Sequence, residues 1–335
     1  MTPYTLFLYV SAVLIWGSTW IMMKFQLGVV APAASLTYRY LAAGVLILIG
    51  AALFGKVIRL TARQHLWCAL QGALMFSVNY WLTYLAAVHL TTGIVSIFFA
   101  GAAGMTMFLS CLIYQRLPEA RPVIGALLGI IGIALVFWPE VQGLALDGPE
   151  FTSGMLVTLS VMLFSAGGLI GARNMGSGMP RYATLGWAMV WGAGWMAIVV
   201  LLRGESFDFE WTHRYVWSLV WVTLLGSLLV FVLYFAVIER IGAEKASYAT
   251  VMFPLVALVV STFVEDYQWP GLALVGVPLA LVGNALVLYQ GQASPAPAQS
   301  PPGEANPVEW PVNFVQLPEG DARVALHRTQ HPLGP

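Results

Sequence analysis

Ten stretches of this chain are apolar for about the 20 residues that a helix needs to cross the hydrocarbon core of a bilayer. They lie at roughly 4–23, 33–54, 66–88, 91–114, 121–138, 152–172, 182–202, 213–238, 245–264 and 270–290. Few folds are open to such a chain, and the expected class is an all-α integral membrane protein with ten transmembrane helices. The balance of residue types agrees. Charged residues make up 9% and hydrophobic residues 59%, whereas a soluble domain is about a quarter charged. The first stretch is read as a retained span and not as a secretory leader, because no basic residue precedes it, its apolar run is too long, and Lys24 follows it.

One stretch occurs twice. Residues 125–138 read GALLGIIGIALVFW and residues 276–289 read GVPLALVGNALVLY, each with a second glycine seven residues on, at Gly132 and Gly283. Ala134-Leu135-Val136 is matched by Ala285-Leu286-Val287, and Tyr84-Leu85-Ala86 by Tyr234-Phe235-Ala236. Both anchors give an offset of about 150 residues, which marks a duplicated half. The expected division is a first five-helix repeat at 1–144, a second at 145–290, and a tail at 291–335. The tail opens GQASPAPAQSPPGEANP and is too rich in Pro, Ala and Ser to bury a core, so disorder is expected there.

Orientation follows from the basic residues near the span ends. With the N-terminus inside, nine face the cytoplasm: Lys56, Arg59, Arg63, Arg116, Arg121, Arg173, Arg181, Arg240 and Lys245. Three (Lys24, Arg203 and Arg214) face outward. Both termini are therefore expected in the cytoplasm, with the chain passing repeatedly through the inner membrane. Five spans per half is an odd number, so the second half enters from the opposite side. An inverted five-plus-five repeat is a transporter architecture working by alternating access, with a solute site near the midplane where the halves meet.

Other classes find little support. The net charge is zero, which leaves no footprint for nucleic acid. Cys68 and Cys111 lie within apolar runs, and no histidine has a partner at ligand spacing, so neither a disulfide framework, a metal nor another cofactor is expected. An intramembrane enzyme would need a nucleophile or acid–base constellation at depth, and none is visible. The expected partners are a small solute and the lipid bilayer. A monomer is the default, since both halves are present in one chain, with oligomers left open.

Several motifs resemble the EamA family of the drug/metabolite transporter superfamily. Trp16-Gly17-Ser18-Thr19-Trp20 is similar to the family's WGS-type signature, and Arg39-Tyr40-Leu41-Ala42-Ala43 to the start of its second span. Pro254 and Glu265 fit its pattern before the last span, and the Gly-rich fifth and tenth spans fit as well. The resemblance covers about residues 4–290 and implies ten helices, an inverted repeat and export of small metabolites. The first half departs from the pattern, with Gly104 matching Pro254 and Gln115 matching Glu265, and the sixth span reads Phe164-Ser165-Ala166. The small multidrug-resistance branch depends on a first-span glutamate, where this chain has Ile15-Trp16-Gly17.

Polar and aromatic residues inside apolar spans supply the candidate solute site: Trp16, Thr19, Arg39, Asn79, Tyr80, Tyr84, Tyr234 and Tyr248. A charge at depth is costly and usually faces protein or a cavity. Arg39 is read either as a guanidinium pairing a substrate carboxylate or a backbone carbonyl, or as a side chain snorkelling outward between Tyr38 and Tyr40. Trp16 is too deep for an interfacial belt, and Gly17 and Ser18 let another helix approach; packing alone is the alternative. Asn79, Tyr80 and Tyr84 form either a solute-binding stripe or an interhelical hydrogen bond, with Tyr234 on the matching face of span eight and Tyr248 entering span nine. Spans three, four, eight and nine are expected to line the cavity, with one and six closing its ends. Glu239, Arg240, Glu244 and Lys245 form a solvated turn or a gating pair.

No Asp or Glu lies deep in a span; Glu265 and Asp266 sit at an end. Transport without a steep loss between about pH 5 and 7 is therefore expected, because a membrane-embedded carboxylate is the usual proton-coupling group. The expected function is export of amino-acid-like or amphipathic and aromatic solutes. The alternatives are a receptor or scaffold without transport, or an importer or facilitator of another solute.

Overall fold

The computed structural model describes residues 2–115, 120–136, 138, 148–241 and 249–288. Tyr248, Glu244, Lys245 and the 291–335 tail lie outside the described residues, as does the side chain of Glu239. Among the described residues there are ten helical rods and no strand. They are α1 (Pro3–Lys24), α2 (Pro32–Leu53), α3 (62–86), α4 (92–114), α5 (Ala120–Val136), α6 (Pro149–Gly176), α7 (Arg181–Leu202), α8 (213–241), α9 (Ala249–Val264) and α10 (Gly271–Leu288).

Local sequence explains most of the ends. Pro occupies the first turn of α1, α2 and α6, where its missing N–H is no loss. The apolar run alone starts the third helix at about 66, yet α3 begins four residues earlier. Thr61 accepts from the Gln64 amide while the Gln64 side chain accepts from Thr61 N, a capping box that carries polar residues into the first turn.

Among the described residues, five helices are long and apolar enough to cross a membrane: Pro3–Lys24, Pro32–Leu53, Thr92–Ile113, Pro149–Gly176 and Arg181–Leu202. Ala120–Val136, Met252–Val264 and Gly271–Leu286 are shorter apolar helices. The packing is inside-out by the standard of a soluble protein. Ser77, Asn79, Ser96, Ser160 and Asn174 are wholly buried, while Phe7, Leu127, Trp217 and Phe263 are more than half exposed. An outer surface of this kind suits hydrocarbon and not water.

The duplication reaches into fine structure. In each half the third helix carries a π-helical segment, Gly72–Val78 in α3 and Trp221–Leu229 in α8. Both helices start on a threonine cap, Thr61 and Thr212. Beyond α4 and α9 the chain passes through the left-handed region at Gln115 (φ 51°) and Asp266 (φ 52°). Neighbour relations also survive exchange of the halves: α1 packs on α8 and α9 as α6 packs on α3 and α4. In addition, α2 pairs with α7, α4 with α9, and α5 with α10.

Glycines set the closest of these contacts. A Cβ on Gly276 would come 2.6 Å from the Gly132 carbonyl, and one on Gly283 would overlap the Gly125 carbonyl and the Gly129 amide. Gly132 thus faces Gly276 while Gly125 faces Gly283, so α5 and α10 run antiparallel. On α2 and α7, Gly44 meets Val190 and Leu48 meets Gly186, which is antiparallel again. Two apolar clusters result. One centres on α2, α3 and α7 (Leu36, Phe76, Met189), the other on α4, α6, α9 and α10 (Ile97, Val157, Leu258, Val277), and Trp20 packs against both.

Candidate functional site

A cavity of about 720 Å³ draws its wall from both clusters. It is lined by Trp16, Thr19 and Trp20 of α1, Arg39 and Tyr40 of α2, and Phe76 and Tyr80 of α3. Phe99, Thr106 and Ser110 of α4, Phe164 of α6, Ser227, Phe231 and Tyr234 of α8, and Phe253 of α9 complete most of it. Among the described residues lining it, Arg39 is the single charge.

Arg39 does not snorkel. It is 3% exposed, and its Nε donates to Ser227 Oγ at 3.1 Å. The guanidinium lies 4.9 Å and 5.0 Å from the ring centroids of Tyr40 and Tyr80, within cation–π range. Ser227 is fixed in turn, donating to the Val222 carbonyl five residues back within the α8 π segment. Of the two rings flanking it in sequence, Tyr40 is itself buried and Tyr38 donates to the Asp208 carbonyl. No carboxylate pairs with Arg39 among the described residues. Hydroxyls and π faces hold the cation in place without neutralising it.

Each residue of the Trp16–Trp20 signature does something different. Trp16 tilts against Tyr234, with ring centroids 4.9 Å apart. A Cβ on Gly17 would sit 3.0 Å from the Phe253 carbonyl and overlap Val256, so the glycine admits α9. Ser18 Oγ accepts from Trp221 Nε1 at 3.0 Å. Thr19 bonds the Trp16 carbonyl at 2.6 Å and packs against Gly226. Trp20 meets Phe99 at 4.8 Å and Phe253 at 6.2 Å, an aromatic layer across one end of the cavity.

Of the residues singled out by sequence, Trp16, Thr19, Arg39, Tyr80 and Tyr234 reach this wall, and Tyr248 is outside the described residues. Asn79 and Tyr84 are buried off this wall, Tyr84 next to the Arg39 guanidinium. Asn79 lies about 100° around α3 from Tyr80, since adjacent residues do not share a helix face. Its backbone carbonyl accepts from Ser160 Oγ at 2.7 Å, tying α3 to α6. Tyr84 donates to Gln26 Oε1 at 2.7 Å, one turn beyond the cavity. The wall also includes α1 and α6, which were expected to close its ends, and α2 through Arg39 and Tyr40. Phe99, Phe231 and Phe253 had no sequence signal, because an apolar residue in an apolar helix looks the same whether it faces lipid, neighbour or cavity.

Beyond the aromatic layer lies an ionic clasp. Glu265, one residue past α9, accepts at Oε2 from Thr92 N (2.9 Å), Thr92 Oγ1 (2.5 Å) and Ser261 Oγ (2.7 Å). Its Oε1 stands 2.6 Å from Lys24 Nζ, with the carboxylate 6% exposed. The clasp joins the last turn of α1, the N-terminus of α4, whose dipole favours an anion, and the end of α9. Burial acts to raise the Glu265 pKa, but the hydrogen bonds from Lys24, Thr92 and Ser261 and the Lys24 charge outweigh it and hold it below the ordinary carboxylate value. A carboxylate with a depressed pKa stabilises the fold fully above its unfolded pKa, and the contribution is lost as pH falls through the lower folded value. Glu265→Gln is expected to destabilise the purified protein by about 2 kcal/mol, as for charge-assisted hydrogen bonds. In thermal unfolding the gap to wild type should stay constant from pH 7 down to about 5 and close below the ordinary carboxylate value. A gap that persists unchanged in acid would show that the charge contributes nothing.

The EamA-like transporter family model matches residues 3–138 and again 152–289. The uncharacterised transporter YoaV of Bacillus subtilis is 25% identical over 260 residues, covering 74% of this chain and 84% of that one. Protein PecM of Dickeya dadantii is 25% identical over 279 residues (82% and 89%). The uncharacterised transporter sll0355 of Synechocystis is 23% identical over 297 residues (83% and 88%). A solved crystal structure superposes with a TM-score of 0.61 at 13% identity, covering 85% of this chain and 96% of that one, a likeness of fold.

Proposed function

The chain belongs to the EamA-like transporter family, and from that premise we propose that it moves small solutes joining a carboxylate to an apolar or aromatic body, amino-acid-like molecules among them. Arg39 carries this reading. A guanidinium 3% exposed with no carboxylate beside it is costly to keep in an apolar bundle, and a substrate anion is the partner that its cavity admits. The rings of Trp16, Tyr80, Phe99 and Tyr234 supply faces for an apolar body, as in most small-molecule sites.

The proposal extends to an inverted five-plus-five repeat of ten crossings working by alternating access. It is supported by the two helix pairs, α5 with α10 and α2 with α7, in which a helix runs antiparallel to its own counterpart. With both termini cytoplasmic in the inner membrane, the Lys24–Glu265 clasp lies at the outer end, and the cavity is closed on that side. Export then begins with capture from the cytoplasmic side. A cytoplasmic fluorescent reporter and a periplasm-active phosphatase, each fused after residue 288, test the orientation; phosphatase activity there sinks it.

The deciding experiment is flux in proteoliposomes with three labelled probes of one shape: phenylacetate, phenylalanine and phenethylamine. The two carboxylates are expected to move and the amine is not. Preference for the amine overturns the anion reading, and absence of flux for any solute in a broad screen favours a receptor or scaffold. No Asp or Glu lines the cavity among the described residues, so flux is expected to vary less than about threefold between pH 5 and 7. A sharp acid-side transition would point to a proton-coupling group not in this wall.

A further inference from the structure

A second recess, about 960 Å³, opens between α4, α5, α6 and α10. It shares Ala100 and Met107 with the central cavity, so α4 is the partition between them. Its rim residues Phe108, Leu112, Leu127 and Ile130 are each more than half exposed, on a surface that faces the bilayer. No charged side chain is among the described residues lining it. At depth it holds one feature foreign to an apolar groove. Asn284 is 4% exposed, and among the described residues neither its Nδ2 nor its Oδ1 has a hydrogen-bond partner.

A buried carboxamide without partners is destabilising, and in a bilayer core no bulk water relieves it. An ordered water needs two to four polar partners, and the one hydroxyl among the described residues lining the recess, Thr158, gives its proton to the Gly154 carbonyl at 2.9 Å and offers only lone pairs. What Asn284 lacks is a donor and an acceptor together. A hydroxyl or amide supplies both. A carboxylate only accepts, an ammonium only donates, and either would arrive as a charge with no counter-ion in the wall.

We propose that this recess is a binding site for a neutral single-chain amphiphile drawn from the bilayer. Its hydroxyl or amide head bonds Asn284, and its chain lies along Phe108, Leu112, Leu127 and Ile130. The site goes beyond the proposed transport of anions and does not depend on it: its ligand is uncharged, comes from the side, and never meets Arg39.

The recess contains its own reporter. Cys111 lines it and is partly exposed, while Cys68 is fully buried. The full chain in phosphatidylcholine proteoliposomes is treated with N-ethylmaleimide, and labelling of each cysteine is followed by peptide mass spectrometry. The vesicles contain 1-dodecanol, dodecanoate or dodecane at equal mole fraction. Dodecanol is expected to slow Cys111 labelling about fivefold or more, as for one or two hydrogen bonds, and the others less than about twofold. Asn284→Leu should abolish the dodecanol effect while Cys68 stays unlabelled, the sign that the fold is intact. Equal protection by dodecane or by dodecanoate, no protection by any probe, or protection unchanged in Asn284→Leu overturns the proposal. The comparison of three probes uses the wild-type protein and decides even if the variant misfolds.

Discussion

Gly283→Leu is expected to remove most of the protein from the membrane, at a cost of at least about 3 kcal/mol, the upper end for overpacking. The side chain has nowhere to go. Even a Cβ at this position overlaps the Gly125 carbonyl and the Gly129 amide, and backbone yields less readily than the tip of a side chain. Gly132→Leu should act alike, since its Cβ would lie 2.6 Å from the Gly276 carbonyl. Gly129→Ala is the control: a Cβ there meets nothing within 4 Å, so abundance and thermal unfolding should match wild type. The readout is membrane abundance together with size-exclusion profiles after heating. Wild-type stability in Gly283→Leu would mean that α5 and α10 do not meet through these glycines.

Arg39→Ala is expected to leave membrane abundance near wild type and lower flux of phenylacetate and phenylalanine some 30- to 150-fold, the worth of about 2–3 kcal/mol of charged hydrogen bonding. Removing a buried cation also removes its desolvation penalty, so the fold should tolerate the change better than the substrate does. Arg39→Lys keeps the charge and loses the planar fork, so an intermediate loss is expected. Ser227→Ala removes the acceptor that orients Nε at 3.1 Å and should cost less than Arg39→Ala. Carboxylate flux at the wild-type rate in an Arg39→Ala protein of normal abundance would refute the anion reading.

These two sites differed in how openly the sequence announced them. A repeated glycine every seven residues in an apolar helix is a packing signal, and its recurrence 150 residues on pointed to paired halves. An arginine among alanines and leucines is conspicuous for the opposite reason, because so few residue types are tolerated there. The π segments left no such trace. An extra residue in a turn has no composition of its own, yet the α8 segment holds Ser227 where Arg39 needs it. Asn79 and Tyr84 show the converse failure, in which polarity was legible but direction was not. A buried amide or phenol is conspicuous in sequence whether it meets solute, as Tyr80 is placed to do, or Gln26, as Tyr84 does. The angle around α3 takes Asn79 off the cavity wall, and one further turn along the helix takes Tyr84 off it.

Among the described residues the clasp at Glu265 has no twin. Gln115 occupies the matching place at the end of α4, with the same left-handed turn close by but no charge to offer an ammonium. On the proposed alternating-access cycle, an empty molecule is expected to rest shut on the Lys24 side, with the ion pair at 2.6 Å as a barrier to opening there. Glu265→Gln should therefore shorten that rest as well as weaken the fold, turning a gate with a preferred side into one that swings evenly.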